Sequence, residues 1–136
     1  MEKTNILVKF RIVGDNFEHD KITSVLGIAP TEAWNIGDKY IRSGKQHRKT
    51  YTCWGLSTGY KESLYISVQL HEIINSLISK KEKLMELKRI YELDYKLDAV
   101  INIENSEAPA LNIDTKVIAF ANAIGAELDI DLYIMS

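Results

Sequence analysis

The hydrophobic period of this chain changes from two residues to between three and four, and then returns to two. Apolar residues alternate over residues 5–13 and over residues 95–104, as they do in strands with one buried face. Between these segments, residues 62–93 have apolar side chains at the three-to-four spacing of an amphipathic helix. This succession of periods predicts a sheet covered by helices, so the expected fold class is α+β.

Turn and cap residues divide the first half of the chain into shorter elements. A helix is predicted over residues 21–26, with Asp20 as its cap and Gly27 as its left-handed end. Residues 32–40 place Trp34 and Ile36 on one side of an extended segment, and residues 51–56 are rich in residues that favour strands. Both are predicted as strands, and they are expected to pair antiparallel. We expect the polar segment between them to be a long basic loop.

The C-terminal part repeats the order of the N-terminal part: strand, short helix, glycine, strand. The last helix is predicted to be capped by Asp114 or Thr115 and to end at Gly125, before a strand over residues 127–134. A distant duplication of a strand-helix-strand unit explains this similarity. The alternative is that any α+β chain contains two such units.

The predicted order of elements is β-α-β-β-α-(α)-β-α-β, where the bracketed helix depends on a break in the central helical segment. The charged residues 79–83 separate two apolar stripes, which predicts either two helices with a bend between them or one long helix. We therefore predict one α+β domain over residues 1–136, with a mixed or antiparallel sheet and the helices packed on one face.

Length and composition argue against several classes of protein. A chain of 136 residues with 46% hydrophobic and 26% charged residues is typical of one globular domain and not of a disordered segment. No apolar run reaches the roughly 20 residues of a membrane helix, and the first residues lack a signal-peptide core. We therefore expect a cytoplasmic location and no membrane partner.

The sequence contains no pattern typical of a catalytic or metal site. Phosphate-binding loops, nucleophile elbows and metalloprotease helices are all missing from it. Cys53 is the single cysteine and lacks the Cys or His neighbours of a zinc site, and His19, His47 and His71 are scattered. We expect no cofactor and no metal, and a binding module is favoured over an enzyme.

Charge is unevenly distributed along the chain, although the net charge is only -2. Residues 39–61 contain no acid, and their bases are Lys39, Arg42, Lys45, Arg48, Lys49 and Lys61. Residues 92–136 are instead acidic, with Lys96 and Lys116 as their bases. Opposite charge on two segments of one small domain predicts two surfaces with opposite electric fields.

Five short stretches carry a resemblance to a known family. They are FRIVGD at residues 10–15, LGIAPT at 26–31, WNIGD at 34–38, WGL at 54–56 and IGAELDID at 124–131. In their order and spacing, over almost the full length, they resemble the bacterial family catalogued as domain of unknown function 4279. The family pattern has a proline between the two central helical segments, where this chain has Ser79.

Small bacterial domains of this kind often resemble immunity proteins, which neutralise a toxin made by the same or a neighbouring cell. By this analogy we expect a binding module that holds a toxin-like protein partner through its sheet edge, basic loop or acidic strand. The acidic residues are Glu104, Glu107, Asp114, Glu127, Asp129 and Asp131. They would mimic a phosphate backbone and cover the basic active site of a nuclease. Alternating Asp is also the pattern of an ordinary half-exposed strand.

The tryptophan-containing middle of the chain supports an alternative, a pocket for a small ligand. If Trp34 and Trp54 lie on paired strands, they would form an aromatic wall beside Asp38 and Arg48. Such a pocket would suit a phosphorylated or nucleotide-like molecule, as a binding protein or as an enzyme. The other interpretation is that both tryptophans pack in the core.

A second alternative is single-stranded nucleic-acid binding by the same segment. Its Lys and Arg residues alternate with Tyr40, Tyr51 and Tyr60. In such a composition the basic side chains contact phosphates and the aromatic rings stack on nucleobases. The negative net charge makes nucleic acid the less favoured partner, and a solvated hairpin with core-facing aromatics has the same composition. Across these hypotheses the candidate binding residues are Trp34, Asp38, Arg42, Arg48 and Trp54.

Overall fold

The computed structural model describes residues 2–135, which form a mixed β-sheet with helices packed on one face. The elements in chain order are β1 (Asn5–Gly14), α1 (His19–Leu26), β2 (Glu32–Trp34), β3 (Lys39–Arg42), β4 (Lys45–Arg48), β5 (Thr52–Ser57), β6 (Lys61–Glu62), α2 (Ile66–Leu77), α3 (Lys81–Tyr91), β7 (Asp94–Ile103), α4 (Thr115–Ile124) and β8 (Ala126–Ile134). The predicted α+β class is confirmed, with more short strands in the middle of the chain than the sequence pattern predicted.

The main sheet has the strand order β2-β5-β1-β7-β8, with β6 beside the first residues of β1. β1 lies in the centre, antiparallel to both β5 and β7, whereas β7 and β8 are parallel. β2 and β8 are therefore the edge strands. Four strand spacings of about 4.8 Å separate them, so the two edges lie roughly 19 Å apart.

The two faces of the sheet differ in polarity because side chains alternate along each strand. In β1 the even-numbered residues from Ile6 to Ile12 are buried in a core shared with the apolar stripes of the helices. In β7 the corresponding residues are Tyr95, Leu97, Ala99 and Ile101. The remaining residues of these strands, such as Lys9 and Lys96, lie on the opposite face, which we call the open face.

The segment predicted as a long basic loop is a β-hairpin. β3 pairs with β4 from Lys39 opposite Arg48 to Arg42 opposite Lys45. Ser43 and Gly44 at its tip both have positive φ, 52° and 75°, as a two-residue hairpin turn of type I′ requires. β5 then returns antiparallel to β2, as expected. The prediction of a loop was wrong because β4 is polar throughout, and Tyr40 and Ile41 of β3 are adjacent residues, so neither strand shows hydrophobic alternation.

The ends of the helices follow the predicted signals in most places. Gly27 and Gly125 both adopt φ 69° and end α1 and α4. Asp114 caps α4, since its carboxylate accepts a hydrogen bond from the amide of Val117 at 3.1 Å. The predicted cap of α1 was wrong: Glu18 is the N-cap residue, and Asp20 lies within the first turn.

The central helical segment begins at Ile66, four residues later than predicted, and of the two predicted alternatives it has the one with a break. A short 3-10 helix, Ile78–Lys80, separates α2 from α3 although the chain has Ser79 where the family pattern has proline. None of the helices within residues 2–135 is long and apolar enough to cross a membrane.

Candidate binding surfaces

The two tryptophans lie on neighbouring strands but point to opposite faces of the sheet. In the pairing of β2 with β5, Ala33 is opposite Trp54 and Trp34 is opposite Cys53. Trp54 is 0% exposed, and its Nε1 donates to the Thr23 hydroxyl at 3.0 Å. The expected aromatic wall of both indoles is therefore not formed, and Trp54 is part of the core.

Asp38 and Arg48 lie together at the base of the β3-β4 hairpin. The Asp38 carboxylate accepts a hydrogen bond from the amide of Asn35 at 2.8 Å, and Arg48 Nη1 donates to the carbonyl of Gly37 at 3.2 Å. Both contacts are local and hold the turn that starts the hairpin. The structure thus brings these two predicted residues together, exposed to solvent, but separates them from the buried Trp54.

Lys49 connects the hairpin to the main sheet through cation-π contacts with two aromatic rings. Its Nζ lies 3.8 Å from the centre of the Trp34 ring and 4.4 Å from that of Tyr40. Tyr51 packs against Trp34, with 5.6 Å between ring centres, and Tyr40 stacks on His47 at 5.5 Å. To stack between these rings, nucleobases would have to displace Lys49. Single-stranded nucleic-acid binding therefore stays a prediction.

The outer part of the hairpin is an exposed basic surface. Lys39 lies opposite Arg48 and Arg42 lies opposite Lys45, so both terminal pairs place like charges next to each other. Such pairs destabilise a strand pairing. Among residues 2–135, no ion pair includes a residue of β3 or β4. The hairpin therefore carries an uncompensated positive charge at the β2 side of the sheet, with Arg42 beside its tip.

The opposite edge of the sheet is acidic. Glu127, Asp129 and Asp131 alternate along β8 and lie on the open face, in register with the open-face residues of β7. Glu127 pairs with Lys96 at 3.2 Å, whereas no ion pair within the described residues involves Asp129 or Asp131. Because β8 and β2 are the two edges of the sheet, the acidic and basic surfaces do not neutralise each other.

Between these edges, the open face contains an ion pair that the sequence pattern did not reveal. Arg11 Nε lies 2.5 Å from Asp98 Oδ2, and Arg11 Nη1 donates to the Tyr51 hydroxyl at 3.2 Å. The side chains are only 17% and 7% exposed. Burial opposes the charge on Arg11, but the hydrogen bond and charge of Asp98 outweigh it and raise the pKa of Arg11.

A comparison with family models identifies the family. The model described as Domain of unknown function (DUF4279) matches residues 2–135. The chain belongs to this family. The resemblance seen in the sequence is thereby confirmed. Neither the curated proteins nor the solved structures gave a match.

Two clefts of this DUF4279 chain lie away from the predicted ligand pocket. One of about 470 Å³ lies beside Phe17, Lys21 and Tyr91, and another of the same volume lies beside Lys9 and Glu32. Neither is lined by any of the five predicted binding residues. Within residues 2–135, no three His, Cys, Asp or Glu side chains are placed to hold a metal ion.

One histidine of the DUF4279 chain is hydrogen-bonded to a carboxylate. His71 Nε2 lies 2.7 Å from Asp114 Oδ2. The pKa of Asp114 is lowered, first by the backbone amide of Val117 and then by His71. Because Asp114 is the N-cap of α4, this pair is explained by the helix end and needs no catalytic role.

The reactivity of the Cys53 thiol tests whether this side chain, on the open face of β5, is buried in the DUF4279 chain. Removal from water raises the pKa of its thiol from 9.0 to about 11. At pH 8 the thiolate population is then about 100-fold smaller in the folded chain than in the unfolded chain. We expect a thiol reagent such as DTNB to react at least about 100-fold more slowly with the native protein than with the protein in urea. Similar rates in both states would contradict this.

The raised pKa of Cys53 also determines whether the folded state gains or loses stability as the pH rises. Between pH 9 and pH 11 the unfolded chain releases the Cys53 proton, whereas the folded chain keeps it. This contribution to the free energy of unfolding is therefore present below pH 9 and is lost as the pH rises through that range. Cys53→Ala removes this contribution and is the control.

Proposed function

We propose that this chain is a binding module without catalysis that holds a protein partner, in the manner of an immunity protein that neutralises a toxin. The observation that carries the proposal is the separation of charge across the sheet. The acidic edge is β8, whereas the basic hairpin connects β2 and β5, which lie four and three strand spacings from β8, or roughly 19 Å and 14 Å. At physiological salt the Debye length is about 8 Å, so each surface presents its own field to a partner.

We propose that the toxin binds this chain at its acidic edge, β8. Asp129 and Asp131 are exposed and belong to a regular strand, so their carboxylates keep a fixed spacing on one face. A fixed row of carboxylates matches the basic surface with which a nuclease binds the phosphates of its substrate. Occupation of that surface by β8 would block the substrate without any chemistry by this chain.

The test uses a candidate nuclease toxin, taken from the genes that neighbour the one for this chain, purified and mixed with it in equal amounts. We expect a 1:1 complex on size-exclusion chromatography and loss of nuclease activity. The double variant Asp129→Lys/Asp131→Lys is expected to weaken inhibition by about 100-fold or more, because like charges then face each other at the interface. The readout is the inhibition constant at 150 mM salt.

The hairpin supplies the matched control. Arg42→Glu/Lys45→Glu changes as many charges, also at exposed positions of a strand pair, but at the other edge of the molecule. Because the hairpin lies more than a Debye length from β8, inhibition by this variant is expected to stay within about threefold of the wild type. Full toxin activity at saturating wild-type protein, or equal loss with both variants, would refute the proposal.

A further inference from the structure

The nine-residue strand β8 has an unpaired outer edge within the part of the chain that the structure describes. Within residues 2–135 this strand pairs with β7 only. The amide of Met135 donates to the carbonyl of Ile103 at 2.9 Å. In a parallel pair, alternate residues direct both backbone groups to the same side, so the even-numbered residues of β8 direct theirs away from β7. These residues are Ala126, Leu128, Ile130, Leu132 and Ile134.

This edge lacks several features that prevent a sheet from adding another strand. β8 is long, contains neither proline nor lysine, and stays in unbroken register with β7 from Ala126 to Ile134, so it has no bulge. Short length, proline, lysine and bulges are the usual protections of an edge. What remains are three acidic side chains, and these determine which strand the edge accepts.

A second copy of β8 is a poor occupant of this edge. In an antiparallel pair of two such strands centred on Ile130, Asp129 of each copy would lie directly opposite Asp131 of the other. Like charges in directly opposite positions destabilise a strand pair. A strand with Lys or Arg at the same positions would instead form opposite-charge pairs with both carboxylates.

The other face of β8 favours apolar residues between those bases. Leu132 is 52% exposed and Ile134 is 80% exposed, both on the helix-bearing face of the strand. Apolar side chains of an added strand would pack against them and remove them from water. The two faces of β8 therefore select bases and apolar residues at alternate positions of the incoming strand.

We propose that the partner adds an extended segment, with Lys or Arg alternating with apolar residues, to the free edge of β8. The main chain of that segment hydrogen-bonds the even-numbered residues of β8, and its bases lie over Asp129 and Asp131. This is strand addition, in which backbone bonds provide affinity and alternate side chains provide specificity. The proposal rests on the proposed function and names the part of the partner that β8 holds.

The probe is a synthetic nine-residue peptide of alternating lysine and valine, and its control is a peptide of alternating glutamate and valine. With the lysine peptide bound, we expect the amides of Ile130 and Leu132 to exchange hydrogen at least about tenfold more slowly, because they become donors to the added strand. The amides of Asp129 and Asp131 already face β7 and should change less. The glutamate peptide is expected to give no protection.

Two variants separate strand addition from a general charge effect. Asp129→Lys/Asp131→Lys should exchange the preference, so that the glutamate peptide binds and the lysine peptide does not. Ile130→Pro removes one outward amide but no bond to β7, so the native fold should remain while lysine-peptide binding falls by about tenfold or more. Should the proline variant not fold, the charge-exchanged variant still decides the question.

The outcomes distinguish this proposal from the failure of the proposed function. Peptide binding without protection of the even-numbered amides, binding of both peptides alike, or a dimer formed through β8 overturns strand addition. A toxin complex that forms without protection of those amides also overturns it, while the proposed function stands. If the toxin is not bound but the lysine peptide protects β8, the proposed function fails and strand addition is supported.

Discussion

Trp54→Ala is expected to destabilise the protein by about 3–5 kcal/mol, a large part of the 5–15 kcal/mol typical of a domain. The Trp54 side chain is fully buried between the sheet and α1, and its removal leaves a cavity that neighbouring side chains fill only partly. It also leaves the Thr23 hydroxyl without the indole N-H. The measurement is the free energy of unfolding in urea, followed by far-UV circular dichroism.

Trp34 is the matched control, because it lies one strand away on the opposite face. The residue is partly exposed, and its ring packs against Lys49 and Tyr51. A cation-π contact at such a site contributes about 0.5–2 kcal/mol, so Trp34→Ala should cost clearly less than Trp54→Ala. Equal losses would contradict the expected difference in burial between the two indoles.

The long strands and the helices could be predicted from sequence because each has one buried face. Burial imposes a hydrophobic period on β1, β7 and the helices, and this period is independent of their neighbours in the sheet. The glycines after α1 and α4 gave equally local signals, since a left-handed helix end requires little besides that residue. The β3-β4 hairpin has no buried face, and its two strands could not be recognised by the same reasoning.

The candidate pocket could not be judged from sequence because it depended on strand register. That Trp34 and Trp54 lie on paired strands was predicted correctly, but a shift of one residue in pairing reverses the face of a side chain. Here Ala33, not Trp34, is opposite Trp54. The Arg11-Asp98 pair was missed for the same reason, since its residues are 87 positions apart and meet only through the β1-β7 register.

The separation of charge was predicted from the positions of the bases and acids along the chain, but its geometry depends on strand order. The basic segment lies between β2 and β5, and the acidic strand is β8. Had β8 paired next to β2, the two segments would have formed ion pairs. The observed order places β5, β1 and β7 between these edges. This order arises from pairing between distant segments, for which a single sequence has no local signal.

Arg11→Met is expected to destabilise the protein by about 3–5 kcal/mol, because it leaves the Asp98 carboxylate buried without its partner. Removing both charges in Arg11→Met/Asp98→Leu is expected to restore most of that loss, since a buried ion pair is often no more stabilising than apolar residues of similar size. Urea unfolding of the two variants measures both values. A double variant as unstable as the single one would show that the pair stabilises the fold strongly.

The double variant should nevertheless differ from the wild type in its hairpin. Arg11 holds the Tyr51 hydroxyl, Tyr51 packs on Trp34, and Trp34 contacts Lys49 at the base of the hairpin. Loss of Arg11 removes the first contact in this series of side chains. The amides of β3 and β4 are therefore expected to exchange hydrogen several-fold faster, while those of β7 are unchanged. The ion pair would then serve to orient the basic surface, a role that a measurement of stability alone does not detect.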